Sequence, residues 1–189
     1  MQTWRLPCLA LTAALALSAC ASQPATPLAP QPLRSIDEAR FFTGRWYEIA
    51  RTPMQITNAC VAGTTDYIRG ANGKLRELDA CHMNTPAGEE KSIQGPLTIL
   101  NPGENNKTLV NYHLLYGLIT ISRTYWIIDH GVDYDWFMFT DPSFKNISIF
   151  TRTPRPSSAD VAKLTARARE LGYDTTKLEY PAEFPLGAD

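Results

Sequence analysis

Eight short apolar or alternating runs, followed by one amphipathic helical stretch, predict an all-β domain. The expected architecture is an antiparallel barrel or sandwich with a single C-terminal α-helix packed outside. Three observations carry this. The runs fall near 45–52, 61–69, 74–82, 91–100, 107–115, 123–130, 134–140 and 146–153, a regular spacing of short strands. Turn residues separate them. From Ser157 onward the apolar period changes from strand-like to helical. If the sheet closes, it has no free edge, and eight strands enclose about one small ligand.

Each element has its own signal. The second and third strands flank Gly70-Ala71-Asn72-Gly73, whose Asn-Gly pair favours a tight hairpin. Asn101-Pro102-Gly103 separates the fourth from the fifth, and Asp141-Pro142 the seventh from the eighth. The seventh run, Trp136-Phe137-Met138-Phe139, is apolar on both faces. One face can look into a barrel while the other lies beneath the helix. For that helix Ser157 is the expected N-cap, with Asp160 in the capping-box position. Val161, Leu164, Ala168 and Leu171 form one apolar stripe, and Gly172 is the expected stop.

The N-terminus reads as a targeting segment. Arg5 precedes an apolar run, Leu6 to Leu17, too short to span a bilayer. Leu17-Ser18-Ala19-Cys20 then resembles the lipobox of bacterial lipoproteins. That resemblance implies removal of residues 1–19 and acylation of the Cys20 thiol, a palmitate-type anchor. Ala21, where an Asp would favour inner-membrane retention, implies a lipid-anchored protein on the periplasmic face of a Gram-negative outer membrane. Residues 20–37, with Pro24, Pro27, Pro30 and Pro32, are expected to be a tether, and 38–189 the folded domain.

Removing residues 1–19 leaves 17 basic and 19 acidic side chains with no basic cluster, which argues against nucleic acid as a partner. It also leaves Cys60 and Cys81 as the pair of thiols not used by the signal peptide or the lipid. In an oxidising compartment such a pair is expected to form a disulfide; two free thiols are the alternative, and zinc lacks co-ligands beyond His82. The two positions do not centre on the Asn72-Gly73 turn, so a bulge or a longer turn must absorb the offset.

Three motifs then carry a family resemblance. Gly44-Arg45-Trp46 resembles the Gly-x-Trp signature of the lipocalins. Val132-Asp133-Tyr134 is similar to their Thr-Asp-Tyr motif, with Val in place of Thr. Arg152, in Phe150-Thr151-Arg152-Thr153-Pro154, matches the Arg that packs on the signature Trp. The tail, Glu170 to Thr175 with Lys177-Leu178, looks like that of the bacterial outer-membrane lipocalins and of apolipoprotein D. The resemblance implies an eight-stranded up-and-down lipocalin barrel. Gly44, Trp46, Asp133, Tyr134 and Arg152 would then serve the fold.

The expected function is to carry or store a small apolar ligand, a fatty acid or lysophospholipid, in a membrane-maintenance role. Aromatic side chains crowd the strands, and aromatic walls suit such ligands. The candidate ligand-binding residues are Glu48, Tyr67, Tyr112, Tyr116, Trp126, Phe137, Phe139 and Phe150. Glu48 shares the parity of Trp46, so it is expected to point inward with a water or tyrosine partner. No catalytic residue or cofactor is expected: no nucleophile-elbow sequence occurs, and His82, His113 and His130 lack metal-ligand spacing. Asp129, Asp133 and Asp135 read as a solvated turn. A second reading is an envelope interaction protein with an empty barrel; a lipocalin-fold enzyme is a third. Leu114 to Ile121 is an apolar stretch at the expected open mouth, able to rest on membrane, cap the ligand or form a homodimer contact.

Overall fold

The computed structural model describes residues 28–184. The expected signal peptide, Cys20 and the start of the tether lie outside the described residues. Within them a short helix α1 (Glu38–Phe41) precedes eight strands, and α2 (Ser158–Glu170) follows them. The strands are β1 (Gly44–Arg51), β2 (Cys60–Arg69), β3 (Leu75–Met83), β4 (Glu90–Ile99), β5 (Lys107–Leu114), β6 (Ile119–His130), β7 (Trp136–Thr140) and β8 (Ile147–Thr151). They form a closed barrel in sequence order. Every neighbouring pair is antiparallel, and β1 closes on β8 through Tyr47↔Thr151 and Glu48↔Phe150. Among the described residues each strand has a neighbour on both sides, so the sheet has no terminal strand.

The two faces of the wall make two cores. Inside, Trp46, Tyr67, Val110, Tyr112, Ile127, Phe137 and Phe150 pack together. Outside, Ile49, Ala50, Met138 and Ile149 pack beneath Leu164 and Ala168 of α2. Strand β7 serves both, as its two apolar faces require. The helix starts where its cap lies: Ser157 accepts from the Asp160 amide. It stops at Gly172, whose φ of +96° suits a residue without a Cβ.

Two departures from the expected pattern matter. Strand β6 begins at Ile119, not 123, because Ile119–Ser122 extend the hairpin by pairing with Leu114–Asn111. Asp129 is not in a solvated turn. It is 2% exposed, and its carboxylate receives Arg167 of α2 at 2.7 Å. Asp133 and Asp135 are exposed.

The disulfide is present. Cys60 and Cys81 are bonded with Cα atoms 5.6 Å apart. The register shifts between Val61 and Thr64, setting two residues of β2 against one of β3. That bulge absorbs the offset. Closing a loop of this length stabilises a fold by about 3 kcal/mol in the chain-entropy account.

Residues 28–36, inside the expected tether, run along the barrel wall. The Ala29 amide donates to Pro142 O beside the β7–β8 turn, and the Ile36 amide donates to Glu104 O at the opposite end. Ala29 and Ile36 are buried.

Candidate ligand-binding cavity

One end of the barrel is stoppered. Asp37 caps α1 by accepting from the Ala39 and Arg40 amides, and the helix turns Phe41 into the barrel. There Phe41 packs at 5.4 Å from Trp46, 5.9 Å from Tyr67 and 5.0 Å from Phe137. Arg152 lies 3.5 Å above the Trp46 ring. Tyr134 takes φ +56°; its hydroxyl accepts from the Asp37 amide at 2.8 Å and its ring stacks on His130. Gly44, Trp46, Tyr134 and Arg152 are thus gathered at this floor, with Asp133 exposed in the turn beside it. Tyr67 and Phe137, expected to touch ligand, belong to the floor and not to the cavity wall, because Phe41 fills the space they face.

Above the floor lies a cavity of about 580 Å³, a size that suits one small ligand. Its mouth is ringed by the β1–β2, β3–β4, β5–β6 and β7–β8 connections. Ile93, Leu114, Ile121, Phe139 and Phe150 supply apolar wall; Lys91 and Arg123 add cations. Of the expected ligand residues, Glu48, Tyr112, Phe139 and Phe150 line it. Tyr116 lies in the short turn at the mouth, Leu115–Gly117, and its side chain is outside the described set. Trp126 faces outward: it packs with the outer core and carries Lys107 Nζ 4.2 Å from its ring. Its neighbour Tyr125 takes the inward position. Adjacent strand residues point to opposite faces, so choosing between these two aromatics from sequence needs the strand's parity.

The interior is more polar than expected. Glu48 does point inward, but its partner is Arg51, whose Nη1 donates to Oε2 at 2.6 Å. Arg51 reaches the interior because a bulge between Glu48 and Ala50 sets Ile49 and Ala50 both on the outer face. Gly63 makes room: a Cβ there would come within 2.8 Å of Glu48 Oε2. Burial lifts the Glu48 carboxyl above its usual range, and Arg51 draws it part of the way back.

A second cluster, Glu77 and Asp79 with Tyr112, escaped the sequence reading. Tyr112 Oη lies 2.7 Å from Glu77 Oε1 and 2.5 Å from Asp79 Oδ2, and Thr65 Oγ1 donates to Asp79 Oδ1 at 2.6 Å. Tyr125 Oη stands 3.4 Å from Tyr112 Oη. Asp79 lines the cavity; Glu77, behind it, is 4% exposed. The signal was available: Leu75, Glu77, Asp79 and Cys81 share one strand face, and Leu75 is apolar. Burial raises both carboxyl pKa values, and mutual repulsion lifts Glu77 further.

A raised folded-state pKa means that the native state holds protons the unfolded chain releases. Stability from this source is full below the ordinary carboxylate range and falls as pH rises. Glu77→Gln should therefore gain on wild type with rising pH, on the order of 1–2 kcal/mol between pH 5 and pH 8. Urea unfolding at the two pH values reads it; a constant difference would contradict the account.

A closed antiparallel barrel, stoppered below and open into one aromatic-walled cavity above, is the form of a small-molecule-binding barrel protein. A family model, the lipocalin-like domain, matches residues 36–183, and the chain belongs to the lipocalin family. It is similar to temperature-induced lipocalin-1 of Arabidopsis thaliana, 28% identical over 142 residues that cover 72% of this chain and 74% of the relative. It is also similar to the outer membrane lipoprotein Blc of Vibrio cholerae, 22% identical over 143 residues that cover 76% and 81%. Among solved structures, insecticyanin of the tobacco hornworm Manduca sexta superposes with a TM-score of 0.63 at 18% identity, covering 84% of this chain and 86% of that one. The amine binding protein of Rhodnius prolixus, solved with tryptamine, gives 0.60 at 17%, covering 81% and 84%. At such identities the superpositions establish the fold.

Proposed function

We propose that this lipocalin binds, holds and hands on a single-chain amphiphile such as a fatty acid or lysophospholipid at the periplasmic face of an outer membrane. A lipid on Cys20 would anchor it there. The observation that carries the reading is the single-mouthed cavity with apolar walls. The similarity to an outer membrane lipoprotein supports the location. Residue 28 also begins near the mouth, since Ala29 bonds to the β7–β8 turn. Eight residue steps join it to Cys20, at most about 29 Å of chain. An anchor so close holds the mouth toward the bilayer, where exposed Ile56, Leu115, Leu118 and Ile119 ring the opening. The role is binding without a chemical step: Cys60, the cavity thiol, is tied up in the disulfide and is no nucleophile.

Burying about a dozen methylenes at about 0.8 kcal/mol each exceeds the ordering cost of a flexible chain. Delipidated protein should therefore bind palmitate or a lysophospholipid once per barrel at roughly micromolar affinity or tighter. Displacement of a neutral naphthyl probe measures it; the tryptophans described above, Trp46, Trp126 and Trp136, lie off the cavity wall. Absence of saturable binding by any of these would favour an empty barrel with an interaction role. Cys20→Ser should release the protein from membrane fractions, and unchanged association would remove the anchor from the reading.

A further inference from the structure

We propose that Glu77 and Asp79 form a subsite for a protonated amine at the inner end of the cavity, so that the preferred ligand is an amphiphile whose polar end carries an ammonium nitrogen. This rests on the cavity being a ligand site and names the chemistry it selects.

Charge accounting inside the barrel points there. Glu48 is answered inside by Arg51, and even Asp129, buried on the outer face beneath the helix, is answered by Arg167 and Arg34. Among the described residues neither Glu77 nor Asp79 has an ion-pair partner, although a buried carboxylate is costly unless paired. The two cations that line the same cavity, Lys91 and Arg123, are exposed residues of the wall. Lys91 pairs in register with Cys81, two residues beyond Asp79 toward the mouth.

Proton accounting agrees. Tyr112 has one O–H, yet its oxygen sits within hydrogen-bond distance of both carboxyl groups. One of those contacts needs a hydrogen supplied by a carboxyl. This geometry therefore keeps a proton in the pair, consistent with the raised pKa values of both acids. An incoming ammonium brings three donors and a full positive charge. The pair can then ionise, and its proton leaves to solvent. The faces of Tyr112 and Tyr125 also suit a cation. The ligand's chain would run along Ile93, Ile121, Phe139 and Phe150 to the mouth. A fatty-acid carboxylate placed at the same inner end would meet two acids, so palmitate must bind with its carboxylate outward, toward Lys91 and Arg123.

The experiment is displacement of the neutral naphthyl probe from the full-chain protein at pH 7. Dodecylamine is compared with 1-dodecanol and laurate, and lysophosphatidylethanolamine with lysophosphatidylglycerol of equal chain length. Dodecylamine should bind about tenfold tighter than dodecanol, or better, as expected for a desolvated charge pair. Glu77→Gln with Asp79→Asn should bring that ratio to about one. Calorimetry of the wild type in two buffers of different ionisation enthalpy should show about one proton released per amine bound, which needs no variant. Preference for dodecylamine alone assigns the subsite to free amines; preference for lysophosphatidylethanolamine assigns it to a lipid head group; either supports it. Equal affinity for amine and alcohol, binding without proton release, or a preference that survives the double substitution overturns it. If the alcohol and laurate displace the probe and the amine holds no advantage, the carrier reading stands and this one falls. If the probe itself does not bind, both fall.

Discussion

Arg51→Met is expected to destabilise the protein by about 3–5 kcal/mol, the cost of removing one partner from a buried ion pair. The side chain is 2% exposed, and each of its three nitrogens donates a hydrogen bond. Nη1 donates to Glu48 Oε2, Nε to Glu179 Oε1 and Nη2 to Cys60 O, each at 2.6 Å, and Nη2 reaches Thr57 O at 3.2 Å. One guanidinium thus ties the end of β1 to the turn before β2 and to the C-terminal segment, where Arg51 and Glu179 also pair through their backbones. Methionine fills similar volume but leaves Glu48 unpaired in the interior. Arg51 lowers the Glu48 pKa from the level that burial sets, so without it the carboxyl holds its proton to higher pH. The deficit should then be larger at pH 7 than at pH 5, where Glu48 is closer to neutral in both proteins. Adding Glu48→Gln to the variant should restore part of the loss at pH 7. Thermal unfolding should fall by on the order of 10 °C. A loss under about 1 kcal/mol, or no recovery with Glu48→Gln, would show that the pair does not hold this end together.

Arg51 also marks where the sequence stops being legible. The eight runs and their turn residues identified all eight strands, with most ends within two residues, because apolar alternation records which face is buried. Parity is lost at bulges. Reading Trp46 inward puts Glu48 inside correctly, but two consecutive outward residues, Ile49 and Ala50, reverse the phase and turn Arg51 in. A second register shift, between Ile127 and Asp129, sends Asp129 to the helix and not to solvent. The cavity suffers from the same limit. Phe139 and Phe150 were legible as inward aromatics, whereas Trp126 and Tyr125 exchanged places and Phe41, a floor residue outside the eight strands, was missed. Glu77 and Asp79 were hidden for a different reason. Charged residues on a strand are ordinarily solvent-facing, which outweighs the face they share with Leu75; the cluster with Tyr112 and Thr65 shows that the barrel keeps two acids inside.

At the closed end, by contrast, the resemblance carried the arrangement residue by residue, and Arg152→Ala tests it. The guanidinium lies 3.5 Å over Trp46. It donates through Nη1 to Thr43 O at 2.7 Å and Arg45 O at 3.0 Å, and through Nη2 to Phe41 O at 3.3 Å. Its Nε faces Tyr134 O at 3.4 Å. These carbonyls end α1, begin β1 and close the β6–β7 turn, so one side chain holds together the segments that plug the barrel. A shielded cation–π contact is worth up to about 2 kcal/mol and a charged hydrogen bond about 1.5–3. Shared donors and partial exposure keep the sum well below additive, so a loss of about 3 kcal/mol is expected from urea unfolding. Arg152→Lys retains a positive charge but not the planar fork and should recover less than half of it. Ligand affinity of the molecules that remain folded should stay unchanged, because Arg152 sits beneath the floor and touches no wall of the cavity. A variant that keeps its stability but loses probe binding would make Arg152 a ligand residue and would overturn its assignment as the latch of the closed end.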